Sequence, residues 1–296
     1  MSKVRFTVFV SLVLIIVSVV SLSTRWLNLG LDFTGGVTVE LQADKAVDTE
    51  LVRQLLNSGQ FPEAQVIEYG SESSIQIKLP PLAGNEQQLA SQVQAQLADS
   101  GYRFTLLGQS TVGPQFGQEL INDGLYALIL VLVGIMAYLS IRFQWKLALG
   151  AVAALVHDLI ITLGFFSVTQ LEFNLTVLAA LLAVLGYSVN DTVVVFDRIR
   201  ENFRLMHQDD ETVITNKSIN QTMARTLITS FTTLLSVLAL AIFGGPILFT
   251  FSIALIVGIL VGTYSSIFVA SALAMRLKLS KADLTLKKPE EIDDLP

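Results

Sequence analysis

The chain has 296 residues, of which 52% are hydrophobic and only 15% charged, and its net charge is −6. A charged fraction well below the roughly 25% of soluble domains, with several long apolar runs, makes this a polytopic membrane protein. The acidic balance leaves no basic footprint for nucleic acid. Cysteine is absent, and the only histidines are His157 and His207. That excludes disulfides, cysteine-ligated zinc, iron–sulfur clusters and thiol catalysis, and leaves too few histidines for a His-rich metal site.

Lys3 and Arg5 precede an apolar run at 6–22. Ser21-Leu22-Ser23 has the small-x-small form of a cleavage site, but the run exceeds the roughly 7–15 residue core of a signal peptide, so a retained first helix is expected. The next stretch, 25–121, is mostly polar. Val37, Val39 and Leu41 alternate with polar residues as in a half-buried strand. Asp48 is placed to cap a helix carrying Leu51, Val52, Leu55 and Leu56 that stops at Gly59. A short strand at Val66 and Ile67 and a third at Ile75, Ile77 and Leu79 follow. Asn85 is expected to cap a second helix bearing Leu89, Val93 and Leu97, and 102–107 reads as a fourth strand. The order βαββαβ predicts a small α+β, ferredoxin-like domain. Two glycine-bearing segments flank it: GLDFTGG, with Gly30, Asp32, Gly35 and Gly36, and TVGPQFG, with Gly113 and Pro114. Neither has the strand–loop–helix setting or Lys-Ser/Thr ending of a phosphate loop. Both read as hinge or docking segments.

The remainder is membrane. Spans are expected at 122–141, 147–168, 173–196, 226–243 and 247–273, each near the ~20 residues needed to cross. Lys and Arg gather at Arg142 and Lys146, at Arg198, Arg200, Arg204, Lys217 and Arg225, and in the tail at Arg276, Lys278, Lys281, Lys287 and Lys288. The loops between, 169–172 and 244–246, have none. Positive loops face the cytoplasm. This divides the chain into a cytoplasmic N-terminus and first helix at 1–24, an extracytoplasmic domain at 25–121, helices two to six at 122–275 and a cytoplasmic tail at 276–296.

Several polar residues fall inside the spans. His157 and Asp158 sit mid-way along the third helix, Asn190 and Asp191 in the cytoplasmic half of the fourth, and Arg225 opens the fifth. A charge at membrane depth costs at least about 2.5–3.5 kcal/mol, which marks such residues as functional candidates. Asp191 and Arg225 are expected at similar depth. From Arg225 a hydroxyl stripe runs through Thr229, Thr232 and Ser236, beside a row of Thr222, Thr226, Thr229, Thr233 and Ser236. Such a stripe reads as a wet or hydrogen-bonded helix face, the alternative being back-bonding to the preceding turn. The sixth helix repeats a small residue every fourth position, Ala254, Gly258, Gly262, Ser266, Ala270 and Ala274, the pattern of close helix packing. His157 is ambiguous: one His beside one Asp is more often a satisfied buried pair than a metal site, and both stay candidates for a proton pathway. Asp158 and Asp191 invite comparison with an intramembrane aspartyl dyad, but neither stands in the Gly-rich setting of such proteases. An ion-coupled membrane protein fits these residues best, ahead of an assembly scaffold and of an enzyme.

GLDFTGG, TVGPQFG, RFQW at 142–145, VHD at 156–158, GYSVNDTVVVFDRIREN at 186–202 and NKSINQTMARTLITS at 216–230 together resemble the SecF family of bacterial protein-export membrane proteins. The resemblance covers almost the whole chain. It implies membership of the resistance-nodulation-division (RND) superfamily, six helices with an extracytoplasmic domain after the first, and half of a transporter whose other half is SecD. It further implies a non-enzymatic, proton-motive-force-dependent auxiliary of the SecYEG translocase, promoting late preprotein translocation on the outer side of the bacterial inner membrane. No cofactor is implied; protons are the coupling ion. SecD, SecYEG, YajC, YidC and preproteins are the implied partners. By motif, Asp191 matches the family's proton-pathway aspartate and Arg225 its intramembrane arginine, while a companion aspartate belongs to SecD. The alternatives are a stand-alone RND-type ion-coupled exporter and a structural subunit without proton transfer.

Overall fold

The computed structural model describes residues 4–81, 88–206 and 210–277. The expected cap at Asn85, together with Lys3, His207 and the tail lysines 278, 281, 287 and 288, lies outside the described residues. Helix α1 (Val4–Thr24) leads into a one-turn helix α2 (Leu31–Thr34) and then a four-stranded antiparallel sheet. Its strands are β1 (Gly36–Ala43), β2 (Gln65–Tyr69), β3 (Ser71–Leu79) and β4 (Phe104–Val112). Helices α3 (Thr49–Asn57) and α4 (Leu89–Gln96) connect them, and the spatial order is β2-β3-β1-β4. This is the ferredoxin-like arrangement that the element order predicts.

The local reasons are those of the sequence. Asp48 accepts from the backbone N–H groups of Glu50 and Leu51, satisfying two of the donors that open α3. Val37, Val39 and Leu41 of β1 and Ile75, Ile77 and Leu79 of β3 point to one face and bury against Val52, Leu56, Val93 and Leu97 of the helices. The other face carries Glu40, Gln76 and Lys78, with Gln76 donating to Glu40 at 3.2 Å. Strand β4 runs farther than expected, to Val112, because it pairs with β1 along its whole length, ending at Gly36 opposite Val112. The two glycine segments therefore meet at one corner of the sheet.

Among the described residues, six helices are long and apolar enough to cross a membrane. They are α1, α5 (Pro114–Arg142), α6 (Trp145–Thr169), α7 (Leu175–Leu205), α8 (Glu211–Phe243) and α9 (Gly245–Ser265), the last continued by a π-helical segment (Ser266–Ala270) and α10 (Ser271–Arg276). Three run beyond the expected spans. Helix α5 begins at Pro114, whose missing N–H costs nothing at a first helical position. Helix α7 continues through its basic cluster to Leu205, and α8 starts at Glu211 behind Asp210, which accepts from the N–H of Thr212. Hydropathy marks only the lipid-crossing part of each helix, whereas these ends are polar.

Helices α6, α7 and α9 form the packed centre, while α1, α5 and α8 leave most of their apolar surface uncovered. Lipid gives helices no hydrophobic reason to associate, so close approach of small residues and interhelical hydrogen bonds hold them together. A Cβ on Gly258 would sit 2.2 Å from Val184 Cγ2, and one on Gly262 would sit 3.1 Å from Ser188 Cβ, so the small-residue row of α9 is the seam with α7. Ser21 of α1 and Ser167 of α6 share a hydrogen bond of 2.8 Å.

Candidate functional site

Two polar clusters lie within the helical part. In the first, Asp158 of α6 is fully buried. Its Oδ2 accepts from the hydroxyls of Ser188 (2.7 Å) and Ser265 (2.8 Å), and its Oδ1 lies 3.0 Å from Nδ1 of His157. Beside it, Thr192 and Ser266 share a hydrogen bond of 2.9 Å, and Ser266 donates to the Ser188 carbonyl at 3.1 Å. The π-helical turn begins at Ser266; such turns recur at functional sites because they re-aim side chains within a helix. Asp158 is thus more tightly bound by hydroxyl donors than the sequence showed.

The second cluster surrounds Asp191 of α7, only 3% exposed. Ser230 of α8 and Arg225 are its polar neighbours. Ser230 also bonds Thr263 of α9 at 2.7 Å and receives the Tyr187 hydroxyl at 3.1 Å. Asp191 Oδ2 is buried without a hydrogen-bond partner among the described residues, as is the Thr226 hydroxyl. Asp191 and Arg225 do not form an ion pair: Arg225 points to the exposed side of α8, and it is the next residue, Thr226, that turns inward. Asn190 is exposed too. The two residues expected at similar depth are therefore a buried carboxyl and an outward-facing guanidinium.

The hydroxyl stripe of α8 is corrected in the same sense. Thr229, Thr232, Thr233 and Ser236 each donate to a carbonyl three or four residues back, at 2.9 to 3.3 Å. Thr229, Thr232 and Ser236 face outward and Thr233 is half-buried. Back-bonding, the plainer reading, accounts for them within this chain. The inward row is Ser218, Thr222, Thr226 and Ser230, all buried. The second row expected from the sequence begins on this face with Thr222 and Thr226 but then leaves it at Thr229, whereas the inward line continues at a spacing of four to Ser230. Tyr187, Ser188, Thr263 and Ser265 were also missed, since single hydroxyl residues in apolar helices carry no signal until their partners are placed.

The glycine-bearing segments form a joint between the sheet and the helices. Gly30 donates to the Phe173 carbonyl at 2.8 Å, and Phe173 donates to the Asn28 carbonyl at 2.7 Å, tying the chain after α1 to the α6–α7 loop. Asp32 Oδ2 accepts from the N–H of Leu175 at 2.9 Å, so it caps the start of α7 alongside Asn174. A Cβ on Gly35 would lie 2.9 Å from the Pro114 nitrogen. Gly36 has φ +141° and a Cβ position 2.3 Å from the Leu79 carbonyl oxygen, a site only glycine fits. Gly113 is the N-cap of α5. Lys78, from the open face of the sheet, reaches Glu172 with both carboxylate oxygens within 2.9 Å. Asp32 and Glu172 thus link the sheet domain to the very helix that carries Asp191. No group of three or more His, Asp or Glu among the described residues is arranged to hold a metal ion.

A sheet domain inserted after the first of six membrane helices, with buried carboxyls on the central ones, defines half of an RND-type membrane transporter. Residues 92–280 match the family described as protein export membrane protein SecD/SecF, C-terminal, and residues 20–47 match the SecD/SecF GG motif. Protein translocase subunit SecF of Vibrio alginolyticus is 46% identical, covering 100% of this chain and 95% of that one. Its counterpart in Pseudomonas aeruginosa is 43% identical over 97% of this chain and 94% of its own. The crystal structure of SecDF, a translocon-associated membrane protein from Thermus thermophilus, superposes with a TM-score of 0.81 at 39% identity over 94% of this chain. This chain spans 38% of that longer one. SecDF in a super-membrane-facing form superposes with a TM-score of 0.73. The chain belongs to the SecD/SecF family of protein-export membrane proteins.

Proposed function

We propose that this chain pairs with SecD in the bacterial inner membrane, and that the pair uses the proton motive force to assist SecYEG in the late, outer-side stage of preprotein translocation. YajC and YidC complete the partner set, and no enzymatic reaction is assigned. The observation that carries this reading is Asp191: a buried carboxyl at membrane depth with an oxygen that no described residue satisfies. An unmet acceptor there is costly unless a proton, water or partner group meets it. Around it, Asn190, Arg225, Thr229, Thr232 and Ser236 are exposed. The hydroxyls are met by back-bonds within α8, but an exposed Asn190 and Arg225 at this depth are costly against lipid, which supports a second chain covering this side. The Lys and Arg of the short loops support cytoplasmic termini and an outer sheet domain.

In this reading Asp191 binds and releases a proton as the two halves rearrange, and Arg225 modulates it from α8. The sheet domain is tied through Asp32 and Glu172 to the outer end of α7, so a shift of α7 reaches it directly. The test is Asp191→Asn, close in shape and fixed in the neutral form. The expected result is an intact complex with SecD that supports ATP-driven translocation without stimulation by the proton motive force. Normal stimulation refutes the proton role. Loss of the complex itself assigns Asp191 to structure instead. Purification of the chain as a lone homo-oligomer supports a stand-alone exporter.

A further inference from the structure

A cavity of about 720 Å³ opens between α1, α6 and α10. Eight of its twelve lining residues are apolar, Val8 and Ala153 among them; the other four are the buried Ser11 and His157 and the exposed Thr212 and Arg276, near the ends of α8 and α10. His157 is 4% exposed. Its Nδ1 is engaged by Asp158, while the opposite ring nitrogen, Nε2, is buried without a partner among the described residues. A lone polar atom in a purely hydrocarbon setting is unfavourable, and His–Asp chains at membrane depth are a form that proton relays take.

We propose that the His157–Asp158 pair is a second proton-holding station in this chain, reached by water from the cytoplasmic face through this cavity. This rests on the proton-coupled reading above. The step is a proton relay: a small turn of the ring brings the buried Nε2 to the cavity, hydronium arriving through the cavity gives it a proton and leaves as water, and the ring passes its Nδ1 proton to Asp158 Oδ1. The ring keeps its charge and the carboxyl becomes neutral. From α9, Tyr264 faces the imidazole with ring centroids 6.3 Å apart, but its hydroxyl is committed to the Thr7 carbonyl at 2.5 Å and approaches Ser11 at 3.1 Å. From α7 the carboxyl meets only the Ser188 hydroxyl, and from α9 the Ser265 hydroxyl. Among the residues lining the cavity, Arg276 is the charged side chain. Ser188 stands one helical turn from Asp191, which places the two stations on neighbouring turns of α7.

The chain has no cysteine and two histidines, which suits two measurements on the complex with SecD. First, Ala153→Cys in inside-out vesicles should react with a membrane-impermeant thiol reagent much as Thr212→Cys does. Reaction only with a lipophilic reagent means that an acyl chain fills the cavity, and overturns the proposal. Second, in a His207→Gln background, this chain labelled with ¹⁵N-histidine and assembled with unlabelled SecD leaves His157 as the single labelled imidazole, with one pair of ring-nitrogen signals. That pair should respond to bulk pH, and Asp158→Asn should alter the response; signals unmoved by pH overturn the proposal. In transport, His157→Gln should lose proton-motive-force stimulation while the complex and ATP-driven translocation persist. Full stimulation with His157→Gln, beside its loss with Asp191→Asn, refutes this inference alone. Full stimulation with both sinks the proton-coupled reading on which it stands.

Discussion

Substituting Gly258 by alanine tests how the centre of the helical part is held. The added Cβ would lie 2.2 Å and 2.6 Å from the two methyl carbons of Val184, which is 1% exposed. Valine in a helix has essentially one χ1 rotamer, so it cannot swing aside. Restoring a carbon–carbon contact of ~3.5 Å requires α7 and α9 to part by about 1.3 Å. The same helix carries the bonds Thr192–Ser266, Ser230–Thr263 and Ser265–Asp158, now 2.7 to 2.9 Å long. Moved as a unit, α9 would stretch them to about 4 Å, beyond hydrogen-bond reach. Overpacking costs about 1–3 kcal/mol, and three interhelical bonds at ~0.6 kcal/mol each add about 2. The expected loss is thus about 3–5 kcal/mol, read as a fall of several degrees in the thermal unfolding of the detergent-purified complex. Val184→Ala in the same chain should recover most of it, since the two changes share one contact. At Gly262 the nearest atom is 3.1 Å away, so Gly262→Ala should cost clearly less. An unchanged melting profile for Gly258→Ala, or the reverse order of the two glycines, would refute this account of the seam.

Gly36→Ala places a Cβ against the Leu79 carbonyl at a φ of +141°; a cost of about 1–3 kcal/mol should appear as protease sensitivity of the sheet domain, and unaltered resistance counts against a rigid joint. Lys78→Met removes one partner of a pair that is 16% and 22% exposed. Its cost should fall between the ~0.2–1 kcal/mol of an exposed pair and the ~3–5 kcal/mol of breaking a buried one. Hydrogen exchange should quicken in β3 and the α6–α7 loop alone; no change would mean that the ion pair does not hold the domain. For sidedness, Glu72→Cys should react with an impermeant thiol reagent in spheroplasts and Leu205→Cys only after permeabilisation, the opposite pattern reversing the assigned orientation.

Periodicity and composition by themselves determined the class of this protein: six apolar helices, a βαββαβ insert after the first, and Asp158, Asp191 and Arg225 carried on those helices. These are local properties. Alternation along β1 and β3, the Asp48 cap and the length of each apolar run depend on residues a few positions apart. The packing role of Gly258 and Gly262 was legible for the same reason, since a spacing of four lies on one helix face. Orientation about each helix axis was not. Whether Arg225 or Thr226 faces inward is a matter of 100° of rotation on a helix whose lipid-facing side is as apolar as its core, so hydropathy cannot choose between them. Only the tertiary structure showed that Asp158 is bound by Ser188 and Ser265, residues 30 and 107 positions away. It alone turned the stripe of Thr229, Thr232 and Ser236 outward, and it alone brought Gly36 opposite Val112 so that both glycine segments close one joint. Hydrogen bonds between distant single hydroxyls leave no periodic trace, because their geometry is set by the crossing of helices and not by the spacing of residues along any one of them.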